Sequence, residues 1–462
     1  MSFSPELAEI RFGCGLSPVL QPVQSPQAML DSLTGVDAMV GQFQIEPFSV
    51  FRERMVQSQL SRNNMRKTKG TPEFRTHQKQ RRILNKAARK DMSRWYGRTM
   101  LRWINTEQGF RERLSTFWAD HFTAVGKVGL LRRATSPYIE DAIRPHIAGS
   151  FADILIASTT HPLMLHFLDQ ERSVGPNSDM AERKKPKNVG LNENLAREVL
   201  ELHTLGVNGP YTQDDVRQLA ELFTGMTSQA KVGFKFRKDY AEPGAEIVLG
   251  KSYGGERARL EPVIEALRDL AVHPATAQHI AWKLAVHFVS DVPDAGLVDH
   301  VAARFLDTGG DLLAVYAALL EHPAAWYETL HNVKPPAAFI GSSLRALAIP
   351  TEVIEALGEK AIGAKLMTPM TLMGQTWQKP GGPDGWPEED TAWITPQGIS
   401  ARLRWAMSVP QVLHPNLPDP RQFVKDALGA RATGTVQFAA ASAENRADAI
   451  GLVLASPAFQ RR

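Results

Sequence analysis

The residues best suited to chemistry lie in one stretch, Asn192–Gly206, which reads NENLAREVLELHTLG. Wound as a helix at about 100° per residue, it places Leu195, Val199 and Leu202 on one apolar face. Asn194, Glu198 and Glu201 gather on one flank of that face, with Glu193 and Arg197 further round. Two carboxylates one turn apart can bring oxygens to a single point, as a divalent cation or a general acid/base pair requires. His203 leaves from the other flank, so the third member expected is His121, from Phe117-Trp118-Ala119-Asp120-His121-Phe122. On this reading Glu198, Glu201 and His121 are metal ligands or proton carriers, and Asn194 and Arg197 orient a substrate. The same spacing also makes ordinary i,i+4 ion pairs, Glu193–Arg197 and Arg197–Glu201, on a solvated face. Spacing alone leaves both readings open.

Other segments offer weaker chemistry. Residues 376–397 (TWQKPGGPDGWPEEDTAWITPQ) are rich in Trp, Pro and Gly. Indole rings in such a loop can stack on a ligand or pin the loop to the body, which makes Trp386 and Trp393, with Trp118, candidate substrate contacts. His279, Lys283 and His287 follow at four-residue intervals, but the two histidines are too far apart for one ion, and packing histidines are expected. Gly250-Lys251-Ser252-Tyr253-Gly254 matches GxSxG, yet glycine and charges follow where a nucleophile elbow needs a helix. A glycine-rich turn leaving a hairpin is expected there. No GxxxxGK[ST], GxGxxG or HExxH occurs, so neither a P-loop nucleotide nor a Rossmann dinucleotide is expected. The lone Cys14 excludes an intrachain disulfide, a multi-cysteine zinc site and a c-type haem attachment.

These residues need a scaffold, and the pattern supplies helices. Phe51–Leu60, Phe110–Val125, Pro262–Val272 and Ala275–Val289 repeat apolar residues every three or four positions, with Gly and Pro between such runs. The exception is the region from about 231 to 250, where Phe234 and Phe236 alternate with polar residues and Ile247-Val248-Leu249 follows a turn-like Glu242-Pro243-Gly244. The expected fold is mostly α: a multi-helix globular body with one short β-hairpin and long irregular loops. It is read as a single domain over 1–462, with sub-lobes 1–170 and 190–462 divided by a mobile loop at 171–191, a polar stretch with five basic residues.

Composition narrows the class. Hydrophobic residues at 43% and charged residues at 22% make a folded, core-forming chain. No apolar run is long enough to span a membrane, and Glu6, Glu9 and Arg11 interrupt the start where a signal peptide needs an apolar stretch. A cytoplasmic location is expected. The formal net charge is only +4, but fourteen Lys/Arg face two acids between Arg62 and Arg102. That region suits an acidic protein or anionic ligand; the near balance of the whole chain argues against a nucleic-acid binder.

The stretch NENLAREVLELHTLGVNGPYTQDDVRQLAELFTG resembles the DUF1800 family, bacterial helical proteins of unknown function. Further matches follow in order: Arg11-Phe12-Gly13, Phe117-Trp118 with His121-Phe122, His273-Pro274-Ala275-Thr276-Ala277 with Lys283-Leu284, and Thr308-Gly309-Gly310-Asp311. Lys334-Pro335, Met373-Gly374-Gln375, Gly385-Trp386-Pro387 and Trp393 complete them. The resemblance implies a mostly helical unit with no established reaction. It also suggests a partner, since members are often encoded beside a DUF1501-like protein of alkaline-phosphatase type. Many members look exported. The chain departs from the pattern at Met226, where Trp is usual, at His166, where Tyr is common, and before Leu249-Gly250, where a His-Asp pair is frequent. Two functions follow as alternatives. One is an enzyme with an acidic, divalent-metal-dependent site between the 192–206 and 117–122 helices. The other is a non-catalytic accessory or scaffold protein that uses its basic 62–102 region.

Overall fold

The computed structural model describes residues 3–183 and 190–462. Helix follows helix along the chain, with two small antiparallel sheets among the described residues, so the mostly helical architecture stands. Many helices begin at a proline whose fixed φ suits the first turn and whose missing N–H costs nothing there. Ser25, Thr395, Asp419 and Ser456 each precede such a proline and accept a backbone N–H from the turn. Three more starts use histidine: Nδ1 of His161, His273 and His322 accepts the N–H two residues on, at 3.0, 3.1 and 3.3 Å.

The β segment is two hairpins rather than the single one expected. Met226–Gln229 pairs with Gly233–Phe236, and Gly244–Val248 pairs with Lys251–Gly255. Leu249 and Gly250 have φ of 50° and 78°, the left-handed pair whose twist suits a two-residue hairpin turn. Gly250-Lys251-Ser252-Tyr253-Gly254 is therefore the end of that turn and the return strand, with Ser252 opposite Ile247, not a turn leaving the hairpin. The strand runs on through Ser252 where an elbow needs a helix to begin.

Two large apolar clusters and a small third, Cys14 with Trp103 and Ala338, form the core. One gathers Phe12, Trp118, Phe122, Phe151, Phe288 and Tyr316, among residues from 7 to 326. The other joins Tyr96, Met100 and Leu101 to Phe339, Trp405, Ile450 and Phe459. The Pro72–Asn105 helix serves both, giving Trp95 to the first cluster and Tyr96 to the second. Buried guanidiniums tie its last turns down. Arg102 grips Glu140 with two hydrogen bonds of 2.7 and 3.0 Å. Arg345 donates to the carbonyls of Trp103, Ile104 and Thr106, acceptors a helix end leaves without intrahelical partners.

The first half of Pro72–Asn105 packs along Phe48–Lys67 and is mostly exposed. Of residues 171–191, expected as a mobile loop, 184–189 lie outside the described residues; before them stand a tight turn at Gln170–Arg172 and a short helix at Asp179–Arg183. Segment 376–397 is irregular apart from Asp390–Trp393 and the start of the Pro396–Ser408 helix. No helix among the described residues is long and apolar enough to cross a membrane.

Candidate functional site

The acidic helix forms where expected but not with the expected register. Asn192 Oδ1 accepts the Asn194 N–H at 2.9 Å, and Gly206 ends the segment with φ of 86°. Between them Asn194–Glu198 widens into a π-helical turn, Val199–Thr204. Arg197 bridges Glu193 and Glu201, both at 3.3 Å, and donates to Gln213 at 2.8 Å, while Asn194 faces solvent. This is the ion-paired face. Glu198 stands apart: half-buried, its carboxyl is raised to about 7 by burial and by repulsion from Glu201 and Asp384, against the pull of Arg197.

His121 does not join these carboxylates. A π-turn bonds to the fifth residue along, and its last carbonyls lack helical partners. His121 Nε2 donates to the His203 carbonyl at 3.2 Å, and His279 Nε2 donates to the Leu202 carbonyl at 3.1 Å. Both imidazoles are thus used as caps for the turn. Burial, with the nearby Lys283 ammonium, holds His121 well below the usual histidine range and His279 down to about 4. Among the described residues no three His, Cys, Asp or Glu side chains stand where they could hold one metal ion, so the structure does not assemble the Glu198–Glu201–His121 triad.

The tryptophans divide. Trp118 is 0% exposed and its Nε1 donates to Tyr316 Oη at 2.6 Å, which makes it a core residue rather than a substrate contact. Trp386 and Trp393 line a cleft of about 160 Å³ between the two core clusters, with ring centroids 6.1 Å apart.

That cleft gathers the groups that sequence spacing does not. At its wall the Gly109–His121 helix presents Asp120, whose two carboxyl oxygens accept the Trp386 N–H at 3.0 and 3.1 Å. Gly385 sits against the same carboxyl with φ of 81°, and a Cβ there would lie 2.7 Å from Asp120 Oδ2. The loop docks only because this position is glycine. Nearby, Glu388 Oε1 accepts from His287 Nδ1 at 2.8 Å, and His287 Nε2 accepts from Arg113 Nη2 at 3.1 Å. That chain of bonds fixes the imidazole as neutral with its proton on Nδ1.

The two carboxyls are pushed in opposite directions. Asp120 is half-buried at the cleft wall. Burial and repulsion from Glu388 raise it to about 8, and Lys283 and the Trp386 N–H only partly offset this. For Glu388 burial acts upward too, but His287, whose Nδ1–H it accepts, then Arg462 and Lys283, bring it down to about 2. At neutral pH Asp120 is therefore protonated and Glu388 ionised.

Asp120 and Glu388 are the residues that the sequence reading missed. Asp120 lies between Trp118 and His121, inside a segment already singled out, on a side of the helix that no apolar period marks. Glu388 sits in Pro387-Glu388-Glu389-Asp390, where local composition says only loop, and its partner His287 is 101 residues away.

The family model for proteins of unknown function DUF1800 matches residues 18–461. The chain belongs to the DUF1800 family. Comparison with curated proteins and with solved structures returns no match.

Proposed function

We propose that this protein is an enzyme that carries out general acid–base chemistry on a small polar molecule held in the cleft beneath the 376–397 loop. The observation that supports it most is the pair of carboxyls, Asp120 and Glu388, brought from segments 268 positions apart in the chain and pushed to opposite protonation states. Such divergence is how acid and base roles are divided between like residues. Asp120 is the proton donor. Glu388, oriented by His287 and Arg113, is the ionised partner. Trp386 and Trp393 cover the ligand and exclude water. Glu198, which feels the charge of Asp384 in the same loop, is not among the residues that line the cleft.

The test is turnover followed by proton NMR across a panel of small polar metabolites. Conversion abolished by both Asp120→Asn and Glu388→Gln, and kept by Glu201→Gln, is expected. Conversion that survives both substitutions contradicts the reading.

A second reading is favoured by a separate feature. Arg75, Lys79, Arg82, Lys86 and Lys90 lie within one exposed sector of the Pro72–Asn105 helix, a stripe of about 22 Å at 1.5 Å per residue. Among the described residues none of the five has an ion-pair partner. We infer from this an accessory role in which the basic arm docks an acidic protein, with a DUF1501-like protein the partner suggested by family resemblance. Co-elution of the two proteins at low salt, lost in Lys79→Glu/Arg82→Glu/Lys86→Glu, is the expected result.

A further inference from the structure

The cleft is unevenly furnished with hydrogen-bonding groups. Its acids are already engaged. Glu140 is held by Arg102, Glu112 by Arg144, Glu388 by His287, and Asp120 by the Trp386 N–H. The groups left over are donors. Nε of Arg113, Nε of Arg462, and the indole N–H groups of Trp377 and Trp393 are buried with no hydrogen-bond partner among the described residues, and all four side chains line the cleft.

Arg462 is the clearest case. It is 3% exposed, and its only hydrogen bond among the described residues comes from its backbone N–H, to the Asn332 carbonyl at 2.8 Å. Arg113 is 2% exposed; its terminal nitrogens reach the Gly13 carbonyl at 3.3 Å and His287, and Nε is left over. Trp393 is 3% exposed. Buried N–H groups without acceptors are rare because each forfeits its hydration. Four on side chains that line one cavity, two of them guanidiniums, describe a site complementary to an acceptor-rich, negatively charged group.

The charges agree with the hydrogen bonds. Lys334 lies behind this end of the cleft, its ammonium 3.9 Å from the centroid of the Phe459 ring. Burial, then the guanidiniums of Arg462, Arg113 and Arg402, push it down to about 7. Glu388 and Asp390 are the acids that act on Arg462 in the opposite sense. His287 adds no charge while neutral. The arginine end of the cleft thus lies beside Glu388, which His287 links to Arg113, on a cavity of about 160 Å³, room for a compact head group rather than a polymer.

We propose that the Arg113–Arg462 end of the cleft binds an oxyanion, a carboxylate or a phosphate, of the molecule on which Asp120 and Glu388 act. The indole N–H groups of Trp377 and Trp393 complete its coordination, and Arg462 supplies the planar fork that fixes its orientation. The substrate class is therefore small anionic metabolites, anchored by their charged group with the reacting atoms toward Asp120. This rests on the cleft being the site, but anion binding can be read without turnover.

The experiment is a titration of the full chain with sodium acetate and, separately, inorganic phosphate, at constant ionic strength held with sodium chloride, followed by tryptophan fluorescence and calorimetry. Saturable binding of one of the two is expected, and the anion that binds tighter assigns carboxylate or phosphate. Arg462→Gln should weaken it at least tenfold. Trp393→Phe keeps the ring but removes one donor, and should weaken it about threefold even if Arg462→Gln proves unstable. Asp120→Asn should bind the anion as the unaltered protein does, so loss of turnover without loss of binding separates the acid–base role from the anion site. Absence of saturation beyond the chloride control, or equal affinity in Arg462→Gln and Trp393→Phe, overturns the proposal.

Discussion

The acidic face of the Asn192–Gly206 segment and the floor of the cleft use the same residue types, acids set among Arg, Lys and His, with opposite results. On the helix face Arg197 stands between Glu193 and Glu201 in contact with solvent, and the charges largely cancel in water. In the cleft the acids come from elements far apart in sequence and are half-buried among them, and Asp120 and Glu388 are driven to opposite protonation states. A favourable spacing within one helix marks an ion-pair ladder as readily as a site. What distinguishes a site is desolvation, and that is created by packing between segments.

Substitutions separate the two regions. The largest effect is expected at the cleft wall, where Arg144 meets Glu112 with both side chains about 5% exposed or less. Glu112→Ala leaves the buried guanidinium with Asp37 as its one remaining acid and should cost about 3 kcal/mol in urea unfolding, the low end for a broken buried pair. Gly385→Ala comes next. A left-handed φ costs a non-glycine residue about 1–2 kcal/mol, and the added Cβ meets the Asp120 carboxyl, so a loss of about 2 kcal/mol or more is expected. Undocking of the loop should appear as a red-shifted tryptophan emission and faster proteolysis within 376–397.

A pH-dependent effect separates Asp120 from an ordinary surface acid. Its folded value, about 8, lies above the reference 3.8, so the fold favours the protonated form. The associated stability is fully present below about pH 4 and is lost as pH rises toward 8. Asp120→Asn should remove that slope between pH 4 and 8 while keeping an oxygen for the Trp386 N–H; an unchanged slope would place its origin elsewhere. The smallest effect is expected on the helix face. Arg197→Ala should change stability by no more than about 0.5 kcal/mol, and that difference should vanish at high salt. A cost above 1 kcal/mol would mean that the ladder is less solvated than its exposure shows.

Much of the scaffold was legible because it is written locally. The apolar periods, the Gly and Pro between them, and the Glu193–Arg197–Glu201 ion pairs all act within a few residues. So does the glycine that ends the 192–206 segment. The β region was legible as strand but not as pairing, because the turn sits at Leu249-Gly250 and only the backbone shows that both are left-handed. The candidate site was legible in part. The sequence pointed to the Phe117–Phe122 segment and to the Trp-rich loop, and both border the cleft. It pointed to His121 and Trp118 instead of Asp120 because aromatic and imidazole side chains advertise chemistry, whereas here they fill the core and cap a π-turn. That turn could not be read from a 100° wheel, and contacts such as His287–Glu388 follow no period.

The most direct measurement is a carboxyl-carbon NMR titration of the full chain carrying 13C-labelled aspartate, with Asp120→Asn used to assign one resonance. The account predicts that this resonance titrates near pH 8 while exposed aspartates titrate near 4. An Asp120 resonance that titrates below pH 5 would contradict the assignment of Asp120 as the proton-holding group of the cleft.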